Sequence, residues 1–425
     1  MTNAIPLKTE ADGRRMQAVR DKASQLLEYC RQSDFAGYDP YDAMNSRLFN
    51  ALPFLHFKLA RQVLTQANKR SPINLRPLLL IPRSHNAKGL ALFVSALEKL
   101  SRLGLFTAKE IDSDLLEKLI ALRSPGMKYW CWGYNFAWQT RVTLVPKGSP
   151  NIICTSFVAN ALLDAYERNR NARCLEMAVS AADFILDVLF WSEGEKVSCF
   201  DYTPLWRSQV HNASLLGSAL LCRVFKESGE KRFLEPALRA ARYSVSKQYP
   251  DGSWDYGESD NPPQRWKDNF HTGFNLCALE KIERYSGAGE FAKSIRLGFD
   301  YYLQNFFGGD WAPRYFNNAT YPIDIHSASQ SIITFLALKD LDEQNVRRAC
   351  SVFEWTTANM WDERGFFYFQ KRPAFTIKVP YMRWSQAWML LALASLLENG
   401  GEAAAGSDRE NGRSEPQSTG TAHVR

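Results

Sequence analysis

The chain has no CxxC pair among its eight widely spaced cysteines, no apolar run long enough to span a bilayer, and no segment of uninterrupted charge. Each absence excludes something. Without paired or clustered cysteines, a disulfide framework is not expected, and a reduced cysteine inside an apolar helix behaves as a small hydrophobe. The longest uncharged apolar stretch near the C-terminus, MLLALASLL from Met389, is far short of the roughly 20 residues that cross a membrane. The first residues, MTNAIPLKTEADGRRMQ, have charges and no apolar core, so no secretory signal is predicted and a cytoplasmic protein is expected. The net charge of +7 is read as interleaved with acids, which gives nucleic-acid binding little support.

What the chain has in excess is aromatic side chains. They make up 13% of 425 residues and include 12 tryptophans and 17 tyrosines. A buried indole must find a partner for its N–H, so a core alone rarely takes that many. A large binding surface is the alternative destination.

The chain also repeats. Five small-residue-rich apolar segments share a grammar: IICTSFVANALLDAYE from Ile152, HNASLLGSALLCRVFKESG from His211, HTGFNLCALEKIERYSG from His271, HSASQSIITFLALKDL from His326 and WSQAWMLLALASLLENG from Trp384. With Ile153 as the first mark, the steps are 58, 60, 55 and 58 residues, and HNAKGLALFVSALEKLSRLG supplies a sixth copy from His85. Helices apolar nearly all round are buried on most sides. Between them lie amphipathic stretches at Leu115–Leu122, Cys174–Phe190, Phe233–Lys247, Phe291–Asn305 and Val346–Met360. Helix pairs repeated six times predict an all-α (α/α)6 toroid over residues 75–399, with short aromatic β-hairpins in the loops at one end; an open solenoid is the alternative. Residues 1–74 are expected to form a helical segment packed on the ring, and residues 400–425 a disordered tail.

The loops before the inner helices carry a second grammar: a short aromatic strand, polar residues, then the helix. Trp132, Trp138, Trp254, Trp266 and Trp384 lie there or just inside the helix that follows. They read either as a packed rim or as a cleft in which sugar rings stack. Arg141, Arg207, Arg265, Arg314 and Arg383 recur in the same loops, and converging guanidinium forks suit an anionic ligand. Four of only six histidines, His85, His211, His271 and His326, fall at inner-helix starts. They are either helix-start residues satisfied locally or a ring of acid–base groups. Asp268 and Asp324 sit just before His271 and His326, Asp255 and Tyr256 occupy the WDY strand, and paired carboxylates are the apparatus of glycoside hydrolysis. The cysteines sit at different depths of their helices, so a zinc site like those of protein prenyltransferases or lanthionine cyclases is the weaker reading. No cofactor or metal is expected.

The stretch QYPDGSW at Gln248–Trp254 is similar to the glutamine–glycine–tryptophan repeat of squalene cyclases, although their DxDD acid motif has no counterpart beyond PIDIH. WKDNFHTGFNLCALEKIERYSG and YPIDIHSASQSIITFLALKDLDE resemble segments of the C-terminal domain of glucuronyl carbon-5 epimerases. The expected architecture resembles that of α-toroid carbohydrate enzymes, including N-acylglucosamine 2-epimerases, unsaturated glucuronyl hydrolases and several polysaccharide lyases. It also resembles the toroidal proteins of bacterial exopolysaccharide and capsule synthesis. These resemblances imply an enzyme acting on an acidic saccharide by hydrolysis, elimination or epimerisation, with a polysaccharide assembly complex as its expected partner. A non-catalytic glycan-binding scaffold and a terpenoid-cyclase-like toroid remain the alternatives.

Overall fold

The computed structural model describes residues 10–108, 111–140, 143–259 and 263–411. In chain order the helices are α1 (Glu10–Gln32), α2 (Arg47–Asn50), α3 (Lys58–Arg70), α4 (Ala87–Arg102), α5 (Leu116–Ala121), α6 (Ile152–Asn169) and α7 (Ala172–Phe184). They continue as α8 (His211–Ser228), α9 (Leu234–Ser246), α10 (Asn269–Ser286), α11 (Ala292–Asn305), α12 (Ile325–Ala337), α13 (Asn345–Met360) and α14 (Trp388–Asn411). The last helix therefore runs past residue 400, where a tail was expected, and residues 412–425 lie outside the described residues.

Packing order decides between ring and solenoid. α4 packs on α6, α6 on α8, α8 on α10, α10 on α12, α12 on α14, and α14 returns to α4. The six inner helices thus close on themselves. At the seam Arg102 on α4 donates to Glu398 on α14 at 2.7 Å, with Lys99 bonded to the same carboxylate. Outside them, α5 packs on α4, α11 on α10 and α1 on α14, while α7, α9 and α13 each bridge two neighbouring inner helices. The segregation follows from composition. Inner helices such as α12 bury small and apolar residues on every side, whereas α9 buries Ala237, Leu238, Ala240 and Ala241 and turns arginines outward.

All eight cysteines are buried, and none is joined in a disulfide. Short antiparallel pairs decorate the loops: Trp138–Gln139 with Leu144–Val145, Phe190–Glu193 with Val197–Phe200, and Trp361–Asp362 with Phe366–Phe367. A three-stranded set joins Ile323–Asp324, Gln370–Lys371 and Thr376–Ile377. The Gln248–Trp254 stretch is structural: Gln248 donates to the Gly252 and Ser294 carbonyls, and the Trp254 indole donates to the Ser244 carbonyl. Gly252 has φ +91°, and a Cβ there would meet the Leu297 carbonyl oxygen at 2.1 Å.

The inner helices all start at the same end of the ring. Toward the opposite end Arg223 ties α8 to α6, donating to Asp164 at 2.7 Å and Glu167 at 2.9 Å, while Ser95 on α4 donates to Asp164 at 2.6 Å. The loop after α1 returns to the open end. Arg76 pairs with Asp42 at 2.8 Å, in burial that pushes the Asp42 carboxyl up to about 6, and donates to the Asp39 carbonyl. Among the described residues no helix is long and apolar enough to cross a membrane.

Candidate active site

The open end of the bore is a cavity of about 520 Å³. Every inner helix contributes to it from its first turn. Lys88 (α4), Ile153 (α6), Asn212 (α8), Phe270 (α10) and His326 (α12) are each the second residue of their helix, and Arg383 and Trp384 occupy the widened π turn leading into α14. The N-caps explain this common register. Asn86, Asn151, Asp268 and Asp324 each accept a backbone N–H from the first turn, so each helix begins at a fixed angle to its loop. Six helix N-termini then face one space, a geometry that favours negative charge.

His271 is one residue further along α10 and also lines the cavity. Asp268 holds it twice, accepting the backbone N–H at 2.9 Å and contacting the ring Nδ1 at 2.7 Å. A carboxylate accepts only, so Nδ1 carries the proton and Nε2 is left as the basic nitrogen. The ring is packed by Tyr256, with centroids 4.7 Å apart, and Tyr256 stacks on Trp266 at 4.5 Å.

His326 is 1% exposed, and neither ring nitrogen has a hydrogen-bond partner. Burial comes first in holding its pKa well below 6.5, followed by the charges of Lys88, Arg383 and His271. It is therefore a neutral imidazole with an unused donor and an unused acceptor. Both histidines pack on Phe270 and Phe274, His271 with centroids at 4.3 and 6.1 Å and His326 at 4.7 and 5.9 Å.

Lys88 was not anticipated. Its ammonium lies over Phe157 at 4.4 Å, Trp388 at 5.0 Å and Phe274 at 5.5 Å, with no carboxylate in ion-pair distance among the described residues. Burial, then Arg383, pushes its pKa down to about 7. The available signal was a lone cation in the first turn of a helix otherwise uncharged through Leu97. Tyr41, Tyr134, Tyr202, Tyr315 and Phe316 complete the wall. Burial raises the phenols of Tyr134 and Tyr202, so they remain protonated, with their hydroxyls 3.3 Å apart.

The remaining sequence candidates divide clearly. Trp138, Trp266, Trp384, Tyr256 and Arg383 line the cavity. Arg383 is tied to Asp39 by two bonds of 2.6 and 2.8 Å. Trp132 and Trp254 are core residues, their indoles bonded to the Leu119 and Ser244 carbonyls. His211 is directed away from the cavity and pairs with Glu258 at 3.0 Å, while its neighbour Asn212 takes the cavity-facing position. His85 lies outside the wall, against Asp34. Arg207, Arg265 and Arg314 do not reach the cavity wall, lying several residues ahead of their helices; Arg207 is exposed and pairs with Asp201 at 3.1 Å. Arg141 lies outside the described residues. Asp255 binds Lys267 at 2.8 Å and Tyr249 at 3.0 Å, off the main cavity. Asp324 is fully buried behind the wall, accepting from the Trp384 indole, Gln370 and the His326 backbone; burial raises its pKa against those bonds. Among the described residues, no Asp or Glu lines the cavity and no cluster of three or more ligand-type residues is placed to hold a metal ion.

Solved structures similar to this chain include an unsaturated glucuronyl hydrolase specific for heparin, at 11% identity and a TM-score of 0.61, covering 91% of this chain and 98% of that one. A cellobiose 2-epimerase from Bacillus thermoamylovorans matches at 13% identity and 0.57, over 74% of this chain and 88% of its own. A family 76 α-mannanase from Bacteroides thetaiotaomicron matches at 12% and 0.56, over 76% and 88%. The fold is an (α/α)6 toroid. No protein-family model and no curated protein sequence matches the chain. At these identities the likeness speaks for the architecture, with the cavity at the helix starts as the part to be explained by this chain's own residues.

Proposed function

We propose that this toroid moves a proton on an acidic saccharide, as an epimerase acting next to a carbonyl or carboxylate. The observation that carries the reading is a pair of imidazoles lining one cavity, His271 oriented by Asp268 and His326 with neither ring nitrogen hydrogen-bonded. His271 Nε2 takes the C–H proton and leaves an imidazolium; the electron pair moves onto the adjacent oxygen; His326, once protonated from solvent, returns a proton to the opposite face and ends neutral, so atoms and charge balance. Lys88 and the helix N-termini are placed to stabilise the oxyanion formed between the two transfers. The aromatic wall supplies stacking faces for sugar rings, and the volume lies in the roughly 300–1,000 Å³ range of small-ligand clefts.

Paired carboxylates, the requirement for ordinary glycoside hydrolysis, have no support on this wall, because Asp268 is engaged behind His271 and Asp324 is buried. The terpenoid reading is disfavoured by Lys88 and Arg383 in the cavity, and the scaffold reading by an oriented Asp–His dyad. Support from the comparisons is limited to architecture, which a cellobiose 2-epimerase and an unsaturated glucuronyl hydrolase share. We place the reaction in bacterial polysaccharide metabolism on the resemblance described above.

The test is solvent exchange. The protein is incubated in D2O with uronate-ended oligosaccharides, N-acylated hexosamines and neutral β-linked disaccharides, and each sugar is followed by proton NMR. Loss of one ring C–H signal, with or without a new epimer, is expected for an acidic sugar. New reducing ends without C–H exchange would overturn the reading in favour of hydrolysis.

A further inference from the structure

The positive charge of the chain is not interleaved with acids as its overall composition suggested. Between Asp42 and Glu98 there is no acidic residue, while eight are basic. Arg76 is neutralised by Asp42 and Lys88 belongs to the cavity. The other six, Arg47, Lys58, Arg61, Lys69, Arg70 and Arg83, are exposed or half-exposed.

The same segment holds most of the exposed large apolar side chains among the described residues. Phe54 is 73% exposed, Phe57 53%, Leu59 63%, Val63 58%, Ile73 70% and Leu78 74%. In α3, Leu59 and Val63 stand one turn apart, and of its thirteen residues only Asn68 is buried. An amphipathic helix is normally laid on the core by its apolar face; here leucine and valine are directed at solvent. Clustered exposed apolar residues mark an interaction surface. Phenylalanine and leucine tips surrounded by Lys and Arg, with no acid among them, match one class of partner by charge and chemistry.

We infer that residues 47–83, centred on α3, dock on an anionic lipid surface, with the apolar tips entering the acyl boundary and the cations facing headgroup phosphates. The patch adjoins the cavity. Lys69 donates to the hydroxyl of Tyr41, a cavity residue, at 2.7 Å, and Arg61 donates to Gln139 beside Trp138 at 2.8 Å. Docking through α3 therefore brings the rim of the cavity close to the lipid. This goes beyond the proton-transfer reading and does not depend on it.

The experiment is co-sedimentation of the full chain with vesicles of phosphatidylcholine alone and of phosphatidylcholine with phosphatidylglycerol, at low and physiological salt. Binding to the anionic vesicles that weakens with salt is expected. Phe54→Ser/Phe57→Ser and Lys58→Gln/Arg70→Gln should each weaken it by about tenfold or more, with helicity and Tm unchanged because these residues are exposed. His271→Asn should bind vesicles as the wild type does, separating this inference from the catalytic one. The inference is overturned by no partition into anionic vesicles, by equal partition into both vesicle types, or by partition that both variants leave intact. A dimer dispersed by Phe54→Ser/Phe57→Ser, with no vesicle binding, would also overturn it by assigning the patch to a second copy.

Discussion

The starts of α8 and α12 differ by one position, and that position separates a buried histidine paired with Glu258 from a cavity histidine. Each helix opens with a histidine near its first turn, and the sequence repeat aligns them. In α8 the histidine is the first helical residue, and in α12 it is the second. One residue rotates a side chain by about 100° around a helix with 3.6 residues per turn. His211 consequently meets Glu258 and Ser244, while His326 stands among Phe270, Phe274 and Trp384 facing the bore. A repeat fixes the depth at which a residue sits; the cap fixes its direction.

The account stands or falls on keeping those two histidines apart. The largest expected effect is His326→Asn, which should reduce exchange of the sugar C–H by about 10³-fold or more, as removal of a general acid or base does. His211→Asn should leave exchange within about threefold, since its buried pair with Glu258 lies off the cavity, although losing it costs about 1–3 kcal/mol of stability. Side-by-side proton NMR in D2O measures both. Next, Asp268→Asn should lower exchange by about 10²-fold by releasing the His271 tautomer. Its Tm should hardly move, because asparagine is an equally good N-cap, and imidazole NMR would report the changed tautomer.

Lys88 sharpens the comparison through stability. Its native pKa is about 7 against 10.5 in the unfolded chain, so the penalty for burying the charge is full below pH 7 and fades as pH rises to 10.5. Lys88→Met should therefore stabilise the fold near pH 7 by on the order of a few kcal/mol, seen as a higher Tm, while weakening binding of acidic sugars. The gain should shrink in alkaline buffer, which thermal melts across pH would show. The smallest effect concerns His326 itself. Its folded pKa lies below the ordinary 6.5, so the unfolded chain takes up a proton first as pH falls. Stability present above about pH 6.5 is lost on acidification, and His326→Phe should flatten that acid limb in melts.

Much of the ring was legible in the chain. Small-residue helices at 55–60-residue spacing, alternating with amphipathic ones, specified the double ring of six helix pairs. The tryptophans divided for a reason that the chain hides: Trp132 and Trp254 find carbonyl partners within the core, whereas Trp138 and Trp266 are half-buried and face the cavity. The arginine series had the same fate. Arg383 reaches the cavity because it begins the turn into α14, and its partner Asp39 is 344 residues away, a pairing no local pattern announces. Lys88 was visible in the chain, and aromatic and histidine patterns drew attention from it. The exposed apolar segment before it was likewise concealed by an average charge.

The most direct test of the central claim is C–H exchange of one accepted acidic sugar in D2O by four proteins: wild type, His271→Asn, His326→Asn and His211→Asn. The account predicts exchange by the wild type and His211→Asn, and none above background by the other two. Equal loss in all three variants, or exchange that survives in both His271→Asn and His326→Asn, would contradict it.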